Sequence, residues 1–105
     1  MSIRYLSMLV AGLIFAGNAY AGDGEALAKK SNCTTCHAMD KKTVGPAFKD
    51  IAAKYKDDKG AQATLEKKVR GGGGGVWGKI PMPATARSVG DDNIKSIVQW
   101  VLSLK

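Results

Sequence analysis

The pentapeptide Cys33-Thr34-Thr35-Cys36-His37 constrains this chain more than any other stretch of it. Two thiols and an imidazole within one tight turn are the arrangement that attaches a haem covalently. Each cysteine adds to one vinyl group to form a thioether, and two intervening residues let both sulfurs reach neighbouring pyrrole edges. The next residue then sits beneath the iron, where His37 supplies an axial nitrogen. His37 is the only histidine in the chain, so no second imidazole competes for that place. A chain committed to so bulky a group must fold around it.

Three other uses of these residues fit less well. A thiol-disulfide oxidoreductase would set its Cys-x-x-Cys beside a βαβ unit, and no alternating apolar pattern supports a strand. A structural zinc ion needs four ligands, and Cys33, Cys36 and His37 have no second cysteine or histidine pair. A disulfide between residues three apart closes too small a loop to stabilise a small domain much.

The N-terminus sets the compartment. Arg4 precedes an apolar run from Tyr5 to Ala16, and Ala19-Tyr20-Ala21 follows, the layout of a secretory signal peptide. We expect 1–21 to be cleaved and 22–105 to form one domain in the periplasm. The apolar run is shorter than the roughly 20 residues that span a bilayer, so stable membrane insertion is not expected. A domain this small cannot bury a large core unaided, and a haem would supply the missing apolar mass. Lys and Arg number 16 against 9 Asp and Glu, a net charge of +7, and the leader takes only one arginine with it. A basic exported surface points to an anionic partner, and with so few arginines nucleic acid is not expected.

The periodic segments of 22–105 all read as helices. Asp23 is a plausible cap for a first helix that buries Leu27 and Ala28 and ends near Asn32. Pro46 suits the first turn of a second, whose Phe48, Ile51, Ala52 and Tyr55 share a face. A third runs from about Ala61 to Arg70, burying Leu65 and Val69, and the glycines from Gly71 stop it. Asp91 or Gly90 opens the fourth, with Ile94, Ile97, Val98, Val101 and Leu102 as a continuous stripe and Trp100 on its flank. The fold class is therefore all-α, about four helices wrapped around one covalent haem.

Residues 71–90 lack periodicity, and a loop that long in a small domain is usually functional. It contains Met82, set between Pro81 and Pro83. Of the other methionines, Met1 and Met8 leave with the leader, and Met39 is too near His37 to reach the opposite haem face. Flanking prolines restrict the backbone, so little chain entropy remains to be lost when the sulfur docks on iron. Met82 is therefore the expected second axial ligand, with Lys79 the nearest substitute. Such a six-coordinate iron carries electrons, whereas a five-coordinate one would suit an enzyme or a gas sensor. Gly73 to Lys79 also matches the start of a phosphate-binding loop, but Ile80 replaces the required Ser or Thr.

With these motifs, "VGPAFKDIAAKY" and "GVWGKIPMP", the chain resembles the short bacterial class I cytochromes c, periplasmic donors to nitrite reductases and terminal oxidases. The resemblance covers essentially all of 22–105. It implies a monomeric electron carrier, not an enzyme, holding haem c through Cys33 and Cys36 with His37 and Met82 on the iron. It implies a membrane-bound or periplasmic reductase or oxidase as acceptor and a quinol–cytochrome c reductase type of donor. It makes the Pro46 carbonyl the acceptor of the His37 Nδ1 proton, and it places Trp77 and Lys68 near a haem propionate. Docking is expected at the edge formed by Thr34, Val44, Ile80, Pro81, Pro83 and Ala84, ringed by Lys42 and Lys79. The chain departs from the pattern at Ala84 and Thr85, where relatives have proline and asparagine, and in a short insertion near Arg87 and Ser88. Its five glycines exceed the usual two or three, which predicts a mobile loop.

Overall fold

The computed structural model describes the backbone of residues 16–105 and the side chains from Asp23 onward. Most of the expected signal peptide, up to Phe15, lies outside the described residues. Four helices follow: α1 Ala16–Lys30, α2 Phe48–Lys54, α3 Ala61–Gly71 and α4 Asp91–Leu102. A single 3-10 turn, Cys33–Thr35, separates α1 from α2. Among the described residues the only extended pairing is one antiparallel bridge between Gly73 and Met82. No described helix is long and apolar enough to cross a membrane.

Helix α1 begins upstream of the expected start, so Asp23 lies inside it and caps nothing. Ala16, Ala19 and Ala21 are good helix formers that carry the helix back past the expected cleavage point. It stops at Lys30 because Asn32 turns left-handed, φ 66°, a conformation asparagine tolerates better than most residues. Helix α3 runs one residue past Arg70, and Gly72 closes it at φ 75°. Gly90, in extended conformation, is the N-cap of α4, and Asp91 and Asp92 in its first turn suit the helix dipole.

Helices α1 and α4 cross closely at Gly24, where an added Cβ would run into the Trp100 Cβ and the Ser96 carbonyl. That approach seats Ala28, fully buried, beside Phe48, Ile97, Trp100 and Val101. Leu27, Cys33, Met39, Ile51 and Leu104 pack on this cluster. Met39 is thus core filler, the ordinary use of a lone methionine. Trp100 is not on the flank of α4 as expected. It is 5% exposed and meets the Phe48 ring edge-on at 5.1 Å, a geometry worth about 0.5–1.5 kcal/mol beyond its buried area. The core therefore ends at Phe48, and on the far side of Phe48 is His37.

Candidate functional site

The 3-10 turn presents the cysteine motif. The amides of Cys36 and His37 both bond to the Cys33 carbonyl, at 3.3 and 3.1 Å. The chain then loops out and returns: the Thr43 hydroxyl donates to the Cys36 carbonyl at 2.6 Å, and the Gly45 amide does so at 2.7 Å. Gly45 lies so close to the imidazole that a Cβ there would stand 2.7 Å from His37 Cε1 and 3.0 Å from Nδ1.

His37 Nδ1 donates to the Pro46 carbonyl at 2.7 Å. A carbonyl can only accept, so the proton sits on Nδ1 and the Nε2 lone pair is left for a metal. Pro46 is not in the first turn of α2, as its sequence position suggested. Ala47 is the N-cap, and the first backbone bonds of the helix go to the Ala47 oxygen. One residue outside the helix, the Pro46 carbonyl is free for the imidazole. Phe48 stacks on the ring, centroids 5.2 Å apart at 26°, and links the imidazole to the core.

The glycine segment forms the facing wall. Gly73 and Met82 exchange both backbone bonds, 3.0 and 2.7 Å, and the Gly75 amide reaches the Gly78 carbonyl at 3.2 Å. The segment closes as a hairpin with Met82 at its base. Gly72 makes the closure possible: at its φ of 75° other residues are strained, and a Cβ would meet the Met82 carbonyl oxygen at 2.5 Å. Thr85 then bonds the Val69 carbonyl at 3.1 Å, which ties the chain after Met82 back to α3. Helix α3 rather than a strand precedes Gly73–Lys79, and no helix opens after it until Asp91, so the phosphate-loop match has no structural counterpart.

Between the two walls lies an apolar cavity of about 1070 Å³, counting its open mouth. Cys33, Cys36, His37, Pro46, Lys68, Trp77 and Met82 all line it. Side chains from α2, α3 and α4, among them Ile51, Leu65, Val69 and Ile97, close its back. At the mouth Val44, Val76 and Ile80 are 51, 45 and 67% exposed, and Trp77 is 38% exposed. Lys54 Nζ stands 5.5 Å above the Trp77 ring, a cation–π contact that holds the hairpin tip to α2.

A cytochrome c family model matches residues 21–105. Cytochrome c-551 of Pseudomonas aeruginosa is 48% identical over 100 residues, covering 95% of this chain and 94% of that one. The crystal structure of Nitrosomonas europaea cytochrome c552 superposes with a TM-score of 0.73 at 51% identity, covering 77% of this chain and 99% of its own. Cytochrome c-552 of Hydrogenobacter thermophilus is 43% identical over 97% of this chain and 98% of its length.

The chain belongs to the cytochrome c family. It is a small class I monohaem cytochrome c, all-α, and an electron carrier. The family's covalent haem c fits the cavity on chemical grounds. Two unbridged cysteines, one imidazole with a free Nε2, one thioether and an apolar lining converge there. The thiol-disulfide alternative finds no support: burial pushes the Cys33 thiol up, a backbone hydrogen bond opposes this, and Cys36 beside it adds to the rise. An exchange catalyst needs the reverse, a depressed thiol pKa.

Sequence reasoning missed three residues of this cytochrome c site. Gly45 carried a signal, a glycine directly before the proline whose carbonyl takes the imidazole proton. Lys54 carried none, because its partner Trp77 is remote in sequence. Arg70 stood out only as one of two arginines beyond the leader; its guanidinium bonds Asp91, Val89 and Ala86.

Proposed function

We propose that this cytochrome shuttles single electrons between periplasmic redox proteins on a haem c held by Cys33 and Cys36 and ligated by His37 and Met82. The observation that carries this is the His37–Pro46 bond of 2.7 Å, which fixes the tautomer that leaves Nε2 to bind metal. When bound, haem c supplies a one-electron couple at iron. The protein's share is positional. The Pro46 carbonyl orients the imidazole and raises its basicity, Phe48 stacks on it and Gly45 crowds it, and the Gly73–Met82 pair holds the thioether on the same cavity. The apolar lining excludes water and disfavours the extra charge of the ferric state, which raises the potential. Trp77 and Lys68, both on the cavity wall, offer an indole N–H and a cation to the propionates.

The exposed rim of Val44, Val76 and Ile80, with Thr34, Pro81, Pro83 and Ala84 beside it and Lys42, Lys54 and Lys79 around it, suits a brief encounter with an acidic partner. A reductase or oxidase acceptor and a quinol-linked donor both fit that description. Export accounts for residues 1–21: cleavage after Ala21 would leave Asp23 and Glu25 in the first turn of α1, where carboxylates favour the helix dipole. Mass analysis of the periplasmic protein should find Gly22 at the N-terminus.

The visible spectrum tests the site. Purified ferric protein should show the weak far-red sulfur-to-iron band, and Met82→Ala should abolish it without releasing the haem. Rapid binding of carbon monoxide by the ferrous wild type would instead identify an open haem site, and the carrier reading would fail.

A further inference from the structure

We infer that Arg70 is a positioning residue for Met82, acting through the segment 83–91 that follows the ligand; the inference rests on Met82 binding the iron. Arg70 lies in the last turn of α3. All three guanidinium nitrogens are engaged. Nε and Nη2 donate to Asp91 Oδ1 at 3.2 and 2.7 Å, Nη2 also to the Val89 carbonyl at 2.6 Å, and Nη1 to the Ala86 carbonyl at 3.3 Å. One side chain therefore joins the end of α3, the turn at 86–89 and the start of α4.

That turn belongs to the wall on which Met82 hangs. A second hollow runs beside the main cavity, and its lining includes Met82, Ala86 and Val89 on one side and Asn32, Cys33 and His37 on the other. Upstream, the Met82 backbone is fixed by Gly73; downstream, Thr85 on Val69 is its sole backbone tie to α3. Residues 83–90 of this downstream stretch belong to no helix and need an anchor of their own. The three-way grip of Arg70 supplies it.

The bonds differ in weight. Asp91 is 91% exposed on its side chain, and so wet an ion pair contributes little. The Arg70 side chain as a whole is only 24% exposed, and its short, part-buried bond to the Val89 carbonyl is charge-assisted and less screened than the exposed pair with Asp91. The planar fork toward two carbonyls is the operative part. A lysine keeps the charge but cannot reach both oxygens and the carboxylate at once.

The test is a titration of the ferric holoprotein with imidazole, which competes with Met82 for iron, read beside the sulfur-to-iron band. Arg70→Met and Arg70→Lys should both raise imidazole affinity by about tenfold, the loss expected for charge-assisted hydrogen bonds, and weaken the band. Asp91→Asn should stay within about twofold of wild type. Ala63→Gly, on an exposed position of α3, serves as the control: it lowers the melting temperature and leaves imidazole affinity unchanged. If wild type shows the band and Arg70→Met binds imidazole no better than Ala63→Gly does, the role assigned to Arg70 is overturned alone. If wild type lacks the band, the Met82 reading falls and takes this one with it.

Discussion

The two walls of the cavity hold their ligand candidates by different means. His37 is tied directly to the core: its ring stacks on Phe48 and is crowded by Gly45, Phe48 meets Trp100, and Trp100 is buried against α1. Met82 is outside the core, in a hairpin whose residues 73–81 are all exposed. It is held by a backbone pair, a single tie from Thr85, an arginine grip and a cation over Trp77. Packing is cooperative with the whole fold, whereas such a hairpin opens locally at lower cost. The imidazole should therefore stay on iron as long as the protein is folded, and the thioether should be the ligand that exchanges first.

The strongest way to break that contrast is Phe48→Ala. It removes a side chain 4% exposed that joins the imidazole to the core, and should cost about 3–5 kcal/mol in denaturant unfolding of the holoprotein. If Met82 sits as independently as the comparison says, the sulfur-to-iron band of the protein that remains folded should persist. Gly45→Ala is a more local injury. The new Cβ forces the imidazole or the loop to move, for about 1–3 kcal/mol, and lengthens the bond to Pro46. A less basic imidazole stabilises the ferric iron less, so the midpoint potential measured by voltammetry should rise.

The distal counterpart is Gly72→Ala. A left-handed alanine and a Cβ at 2.5 Å from the Met82 carbonyl should cost about 1–3 kcal/mol, with the strain falling on the Gly73–Met82 pair. Here the potential should fall and the far-red band should weaken, because methionine ligation is what raises the potential. Opposite shifts for Gly45→Ala and Gly72→Ala would separate the two walls. Shifts of the same sign would mean that they move as one. Lys54→Gln has a smaller expected effect, about 0.5–1 kcal/mol for an exposed cation–π contact. It should speed hydrogen exchange at the hairpin amides and leave those of α4 unchanged.

The same contrast explains which parts of the molecule were legible in the sequence. The helices and the cavity residues were, because a 3.6-residue period and the spacing of Cys33, Cys36 and His37 are local signals. Their boundaries shifted where a distant group chose them: Pro46 stays outside α2 because His37 takes its carbonyl, and Trp100 moves from flank to core because Gly24 lets α1 approach. At the distal wall the candidate Met82 lines the cavity, and the loop that carries it is paired at its base. Five glycines suggest looseness; the pairing of Gly73 with Met82 and the closeness of Gly72 to the Met82 carbonyl, neither visible in composition, tie down two of them. Arg70 was the least legible, since its three partners lie 16–21 residues away.

Gly71 is where sequence and structure can be set against each other most cheaply. If the whole glycine run were required by the hairpin, replacing any member would be harmful. Gly71, however, is the last residue of α3, does not have a positive φ, and would place a Cβ in open space. Alanine there loses less chain entropy on folding and has higher helix propensity, so Gly71→Ala should stabilise the holoprotein by about 0.4–1 kcal/mol. The sulfur-to-iron band, the potential and imidazole affinity should all match wild type, because the closure begins only at Gly72. A destabilised Gly71→Ala would show that the end of α3 moves with the hairpin and that the distal wall starts one residue earlier.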